Sequence, residues 1–171
     1  MTIHDLVIRR ADVPDVQAIA DAHRDSIQSL GSAFYDRDAI GAWQSGISAE
    51  LYRNAMQYGE VFFVATGTLD GQQRVLGFSS DYSIGGPVHG TSVYVRGAAA
   101  RQGIGRALLR RAEAHAVASG ATGIQIEASL AGAEFYKANG YEEVRRGETR
   151  LTSGHVIACV FMRKTLGAPA D

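Results

Sequence analysis

The stretch from Thr91 to Glu127 narrows the folds open to this chain more than any other part of it. It begins with a β-forming run, Thr91-Ser92-Val93-Tyr94-Val95, and ends with an alternating one, Ile124-Gln125-Ile126-Glu127. Between them, from Gly103 to about Ser119, the pattern is helical, with Ile104, Leu108, Ala112 and Ala116 on one face and Gly120 as the stop. A strand, a long helix and a second strand in this order make a crossover, so the two strands run parallel. The helix opens on Ala100-Arg101-Gln102-Gly103-Ile104-Gly105. Its first N–H groups have no intrahelical partner and sit at the positive end of the helix dipole, which makes an anion site. Two glycines let a phosphate approach the backbone, and Arg101 and Arg106 add positive charge. A diphosphate suits this arrangement best.

Two other readings of the glycines stand beside that one. The bland reading is a turn before a helix. The specific competitor is a dinucleotide fingerprint, and Glu127 lies about 20 residues on, as a ribose-binding acid would. Against it, Leu108 sits where the third small residue belongs, and seven residues separate Val95 from Gly103. No Lys-Ser/Thr pair follows the glycines, which excludes a P-loop.

The flanking sequence supplies the rest of an α/β chain. Leu6–Arg9 reads as a first strand. Asp12 heads a helix, with Asp15 in the reciprocal capping position, Pro14 in the first turn, and Val16, Ile19, Ala20, His23, Ile27 and Leu30 on one face. Further helical stretches run over 36–43 and 49–58. Residues 61–65 form a buried strand, Asp70-Gly71 turns it into a second at 75–78, and Gly85-Gly86-Pro87 turns again before 91–95. After 124–127 come a short helix at 132–139 and strands at 141–148 and 155–163 around Thr152-Ser153-Gly154.

A chain of 171 residues fits one domain, here taken as 1–166 with a tail at 167–171. A net charge of −1 argues against a dedicated nucleic-acid binder. One cysteine, Cys159, rules out an intramolecular disulfide and suits a cytoplasmic protein; in an apolar strand it reads as a small buried side chain. No charged segment followed by an apolar run opens the sequence, so no signal peptide is expected, and no stretch approaches the 18 or so apolar residues of a membrane span. His4, His89, His115 and His155 lack metal-ligand spacing, so no metal is expected.

Val93-Tyr94-Val95, the loop to Ala100, and Arg101-Gln102-Gly103-Ile104-Gly105-Arg106-Ala107-Leu108-Leu109 together resemble the acyl-coenzyme A motif of the GNAT superfamily of N-acetyltransferases. Glu127-Ala128-Ser129-Leu130 and Phe135-Tyr136-Lys137-Ala138-Asn139-Gly140-Tyr141 resemble the motif that follows it. Ala22–Ile27, with Tyr35 and Trp43, is similar to a bacterial subgroup of that superfamily. The resemblance implies a single-domain α/β fold: a mixed, mostly antiparallel sheet of about seven strands with a central splayed parallel pair, flanked by helices. It implies acetyl-coenzyme A as acetyl donor, leaving as coenzyme A, and a primary amine on a small molecule or peptide as acceptor. It also implies direct attack in a ternary complex, with a homodimer common in the superfamily; a non-catalytic acyl-coenzyme A sensor is the alternative.

Residue by residue, the backbone of Val93, Tyr94 and Val95 would hold the pantetheine arm. Ala100, Arg101, Gln102, Gly103, Ile104, Gly105 and Arg106 would wrap the pyrophosphate. Tyr136 matches the proton donor to the departing thiolate; a phenol near pKa 10 stays protonated where a thiol near 8.5 leaves as an anion. Glu127 matches a general base, with a solvated strand glutamate as its plain alternative, as packing beside Phe135 is for Tyr136. His23, Tyr35 and Trp43 would line the acceptor cleft, with core packing as their plain alternative. Two departures weaken the side-chain grip: Ala100 replaces the usual Arg or Gln, and Ala131 replaces a frequent Asn. The acceptor itself is left open, because the helices and loops at 20–58 and 81–90 choose it.

Overall fold

In the computed structural model, which describes residues 2–167, seven strands form one sheet in the order β1-β2-β3-β4-β5-β7-β6. The strands are β1 (His4–Arg10), β2 (Val61–Leu69), β3 (Gln72–Gly85), β4 (Val88–Val95), β5 (Gly123–Ser129), β6 (Glu142–Arg150) and β7 (Val156–Thr165). The helices are α1 (Val16–Ser26), α2 (Arg37–Ser45), α3 (Ala49–Gln57), α4 (Ile104–Ala118) and α5 (Ala133–Ala138). Every neighbouring pair is antiparallel except β4–β5, which the α4 crossover makes parallel. Most of the expected tail, from residue 168 on, lies outside the described residues.

Local sequence explains the corners. Asp70 and Gly71 have φ of 52° and 74°, the paired left-handed geometry of a tight hairpin turn. Asp12 and Asp15 form the reciprocal capping pair: Val13 N–H donates to Asp12 Oδ1 at 2.9 Å and Asp12 N–H to Asp15 Oδ2 at 2.8 Å. β7 enters the sheet between β5 and β6, so β6 is left as an edge crowded with Glu and Arg, a composition that discourages edge-to-edge pairing.

Both faces of the central strands are buried, each under different helices. Phe62, Val64 and Phe78 meet Val16, Ile19, Ile27 and Tyr52 on one face. Phe63, Ala65 and Leu76 meet Ile104, Leu108 and Ala112 of α4 on the other. Alternation along β4 follows from this: Val93 and Val95 pack towards α4, and Tyr94 towards α1.

The structure departs from the sequence expectation at three points. α1 widens at its end into a π-turn over Ile27–Gly31, which rotates the helical face; Gly31 is buried and Leu30, expected inside, is exposed. β3 and β4 extend further than expected, to Gly85 and back from Val88, because buried polar residues interrupt the apolar pattern. Those residues are satisfied: Ser79 donates to Leu108 O at 2.8 Å, Thr91 to Ser80 O at 2.6 Å, and Ser80 and Ser92 share a 2.7 Å bond. Finally, α4 begins at Ile104, and Gly103 precedes it at φ 82°.

Leu108→Ala should destabilise the chain by about 2–5 kcal/mol, because the side chain is fully buried. Leu30→Ala should cost no more than about 0.5 kcal/mol. Denaturant unfolding of the two variants checks the contrast.

Candidate active site

β4 and β5 are paired only at Val88–Gly123 and His89–Ile124; beyond that they part. Each stays bonded on its outer side, β4 to β3 as far as Val95–Gly77 and β5 to β7 as far as Ser129–Cys159. The inner backbone groups of Val93–Val95 therefore face a gap. Tyr136, on α5, reaches into it: its hydroxyl accepts the Val93 N–H at 3.0 Å. Burial, reinforced by the nearby Tyr94 phenol, pushes the Tyr136 phenol well above its ordinary range, while the Val93 N–H opposes the shift. The phenol thus keeps its proton and holds it at the gap.

At the end of β4 the chain makes a turn over Gly97–Ala99 and then enters the glycine segment. Arg101 and Gly103 both adopt left-handed backbone, φ 61° and 82°. A Cβ on Gly103 would meet nothing within 4 Å, so this residue is glycine for its conformation and leaves open space before the helix. Gly105 has another reason: its Cβ would lie 3.2 Å from the Phe135 ring, so the small residue there lets α5 pack. Arg101, Gln102, Gly103 and Arg106 are exposed, and Ala100 and Gly105 are half-buried. An exposed helix start carrying two arginines fits a diphosphate in charge and in free N–H donors.

The three expected acceptor-cleft residues come together around Tyr94. The His23 and Tyr94 ring centres are 3.9 Å apart, Trp43 lies edge-on to both at 6.2 Å, and Tyr35 is edge-on to Trp43 at 5.7 Å. Tyr35 is also a tie: its hydroxyl accepts the Leu130 N–H at 2.9 Å and donates to Ala158 O at 2.6 Å, linking the start of α2 to the ends of β5 and β7. His23 is buried, and its Nδ1 shares a hydrogen bond with the Tyr52 hydroxyl. Among the described residues its Nε2 finds no hydrogen-bond partner. Glu127 stands on the face of β5 opposite Ile124 and Ile126, exposed, and its Oε2 accepts from Thr149 Oγ1 at 2.6 Å.

Several residues near this site were not singled out from sequence. One is Tyr52, on α3, the partner of His23. Glu60 immediately precedes β2, and burial raises its carboxyl. Asp81 is buried and takes a 2.6 Å bond from each of His89 and His115, two histidines that look scattered in sequence. No group of three or more His, Cys, Asp or Glu among the described residues could hold a metal ion. Cys159 is buried, as expected, and desolvation raises its thiol.

The His23 environment generates a pH dependence. Burial, then the neighbouring Arg24, holds the imidazole down to about 3. Unfolded, it takes up a proton near 6.5. Its contribution to stability is therefore complete above pH 6.5 and is lost as pH falls from there towards 3. Between about pH 6.5 and about 5, the wild-type chain should lose up to about 1.4 kcal/mol per pH unit more than His23→Gln. Equal slopes in denaturant unfolding would contradict this assignment.

Comparison with known proteins agrees with the geometry. A model of the acetyltransferase (GNAT) domain matches residues 58–143, half of the chain. Among solved structures, the chain is similar to a GCN5-related N-acetyltransferase from Rhodopseudomonas palustris: 26% identity, 97% of this chain and 99% of that one covered, TM-score 0.78. It shares its fold with the PaiA N-acetyltransferase of Thermoplasma acidophilum in complex with coenzyme A (20% identity, 95% and 99% covered, TM-score 0.73). The same holds for a phosphinothricin acetyltransferase of Sinorhizobium meliloti in complex with acetyl-coenzyme A (21%, 98% and 90%, TM-score 0.68). No curated protein sequence matches the chain. With half its length matched by the family model and its splayed β4–β5 pair in place, the chain belongs to the GNAT family of acetyltransferases, which draw their acetyl group from acetyl-coenzyme A.

Proposed function

We propose that this protein transfers the acetyl group of acetyl-coenzyme A to a primary amine on a small molecule or peptide, by direct attack within a ternary complex. The observation that carries this reading is the Tyr136 hydroxyl, held at the Val93 N–H inside the β4–β5 gap. A phenol there, on the helix whose Phe135 packs against Gly105, supports a cofactor lying with its acyl end in the gap and its diphosphate on the glycine segment. Acetyl-coenzyme A supplies an activated thioester; the protein's task is to hold it, orient the amine and move two protons.

The backbone of Val93, Tyr94 and Val95 binds the pantetheine arm, and residues 100–106 hold the diphosphate, chiefly through N–H groups and Arg101. The alanines at 100 and 131 leave this grip to the backbone. Tyr136 O–H delivers a proton to the sulfur as it leaves. The Glu127 carboxylate, oriented by Thr149, takes a proton from the amine. Tyr94, Trp43 and Tyr35 wall the acceptor side, with His23 behind Tyr94 as a neutral, packed ring. No helix among the described residues is long and apolar enough to cross a membrane, and the single cysteine suits a cytoplasmic setting.

Acetyl-coenzyme A, a panel of primary amines and a free-thiol readout test the proposal. Release of thiol with at least one amine is expected. Coenzyme binding without turnover on any amine would replace the transferase reading with a binding module. Tyr136→Phe should lower kcat by about a hundredfold to ten-thousandfold while coenzyme affinity stays within about twofold; an unchanged kcat removes Tyr136 from the chemistry. Gly103→Glu should abolish coenzyme binding by placing a carboxylate in the open space before α4.

A further inference from the structure

α1 and the loop that precedes the glycine segment are joined by one carboxylate. Asp25 Oδ1 accepts the Gly97 N–H at 2.9 Å and the Ser29 hydroxyl at 3.2 Å, and Oδ2 lies 3.6 Å from the Arg96 guanidinium. Arg96 is itself fixed to β3: its Nε donates to Val75 O and its backbone N–H to Leu76 O, both at 2.8 Å. The joint is also tight in space. A Cβ on Gly97 would fall 2.3 Å from Ser29 Cβ, so the loop backbone lies directly against the π-turn that ends α1. From Gly97 the chain runs in one short turn to Ala100, Arg101 and Gly103.

Asp25 gives one oxygen to a loop N–H and sets the other beside the Arg96 guanidinium. Its place is explained by what it holds rather than by what it binds. α1 presents His23 against Tyr94 two residues before Asp25, so a single helix touches both the acceptor-side aromatics and the coenzyme loop. Insertions of this kind into α-helices recur at functional sites.

We propose that Asp25 is a positioning residue that couples the coenzyme loop to the acceptor side of the molecule, so that filling the loop stiffens the π-turn at 27–31. The inference rests on the coenzyme A reading given above. A loop held by coenzyme A then presents a firmer α1 end to the amine.

Amide hydrogen exchange with and without coenzyme A tests it without an acceptor in hand. In the wild-type chain, coenzyme A should slow exchange both in 97–106 and in 25–31. In Asp25→Ala, protection should persist in 97–106 but vanish from 25–31, with coenzyme Kd raised about tenfold. Asp25→Asn keeps an oxygen for Gly97 and should retain the transmitted protection. If Asp25→Ala does not fold, Gly97→Ala parts the joint from the other side and should give the same pattern. Protection of 97–106 alone in the wild type, or of both segments in Asp25→Ala, overturns the coupling. No protection anywhere in the wild type overturns the coenzyme A reading and the coupling with it.

Discussion

Two parallel strands that pair over two residue pairs and then diverge set the terms for everything else in this molecule. Backbone groups rarely go unpaired when buried, so a gap in a sheet persists only where something else satisfies its edges. Here β4 is held along its outer side by β3 and β5 along its outer side by β7, which keeps the strands apart. The inner edge is met by a side chain, the Tyr136 hydroxyl on the Val93 N–H. α5 is short, and its packing depends on Gly105 lacking a Cβ beside Phe135. The glycine segment, the gap and the phenol are thus one construction.

The sheet then separates two kinds of work by alternation. Val93 and Val95 bind β4 to α4, the helix whose start is open to an anion. Tyr94, between them, turns to α1 and gathers His23, Trp43 and Tyr35. Polar residues threaded through the centre hold these layers in register: Ser79 to Leu108 O, Thr91 to Ser80 O, and Asp81 to His89 and His115. Asp81 joins β3, β4 and α4 through one buried carboxylate, a connection that fully apolar packing would not direct so narrowly.

Much of this was legible in the sequence because the informative signals are local. Asp12 with Asp15, Asp70-Gly71 and the inward face Ile104–Leu108–Ala112–Ala116 each state their structure within a few residues. Gly103 was legible as a helix start, although its left-handed backbone, rather than space for phosphate alone, fixes its identity. What stayed hidden depends on distant partners. The length of β3 and β4 was masked by serines and threonines whose hydrogen bonds lie across strands. The π-turn at 27–31 leaves no periodic trace, so Leu30 looked buried. The histidines at 89 and 115 are 26 positions apart and meet only because the crossover returns α4 over β3 and β4. Glu127 was visible as a carboxylate on the outward face of β5, but its partner Thr149 lies two strands away.

A β4–β5 gap that receives the acyl end of the coenzyme must bring the ligand to the Val93 amide. Titrating the protein with coenzyme A while following the backbone amide resonance of Val93 addresses it most directly. The account predicts a saturable shift of that amide, moving together with those of residues 103–106. A Val93 amide that does not move while coenzyme A binds elsewhere would contradict it.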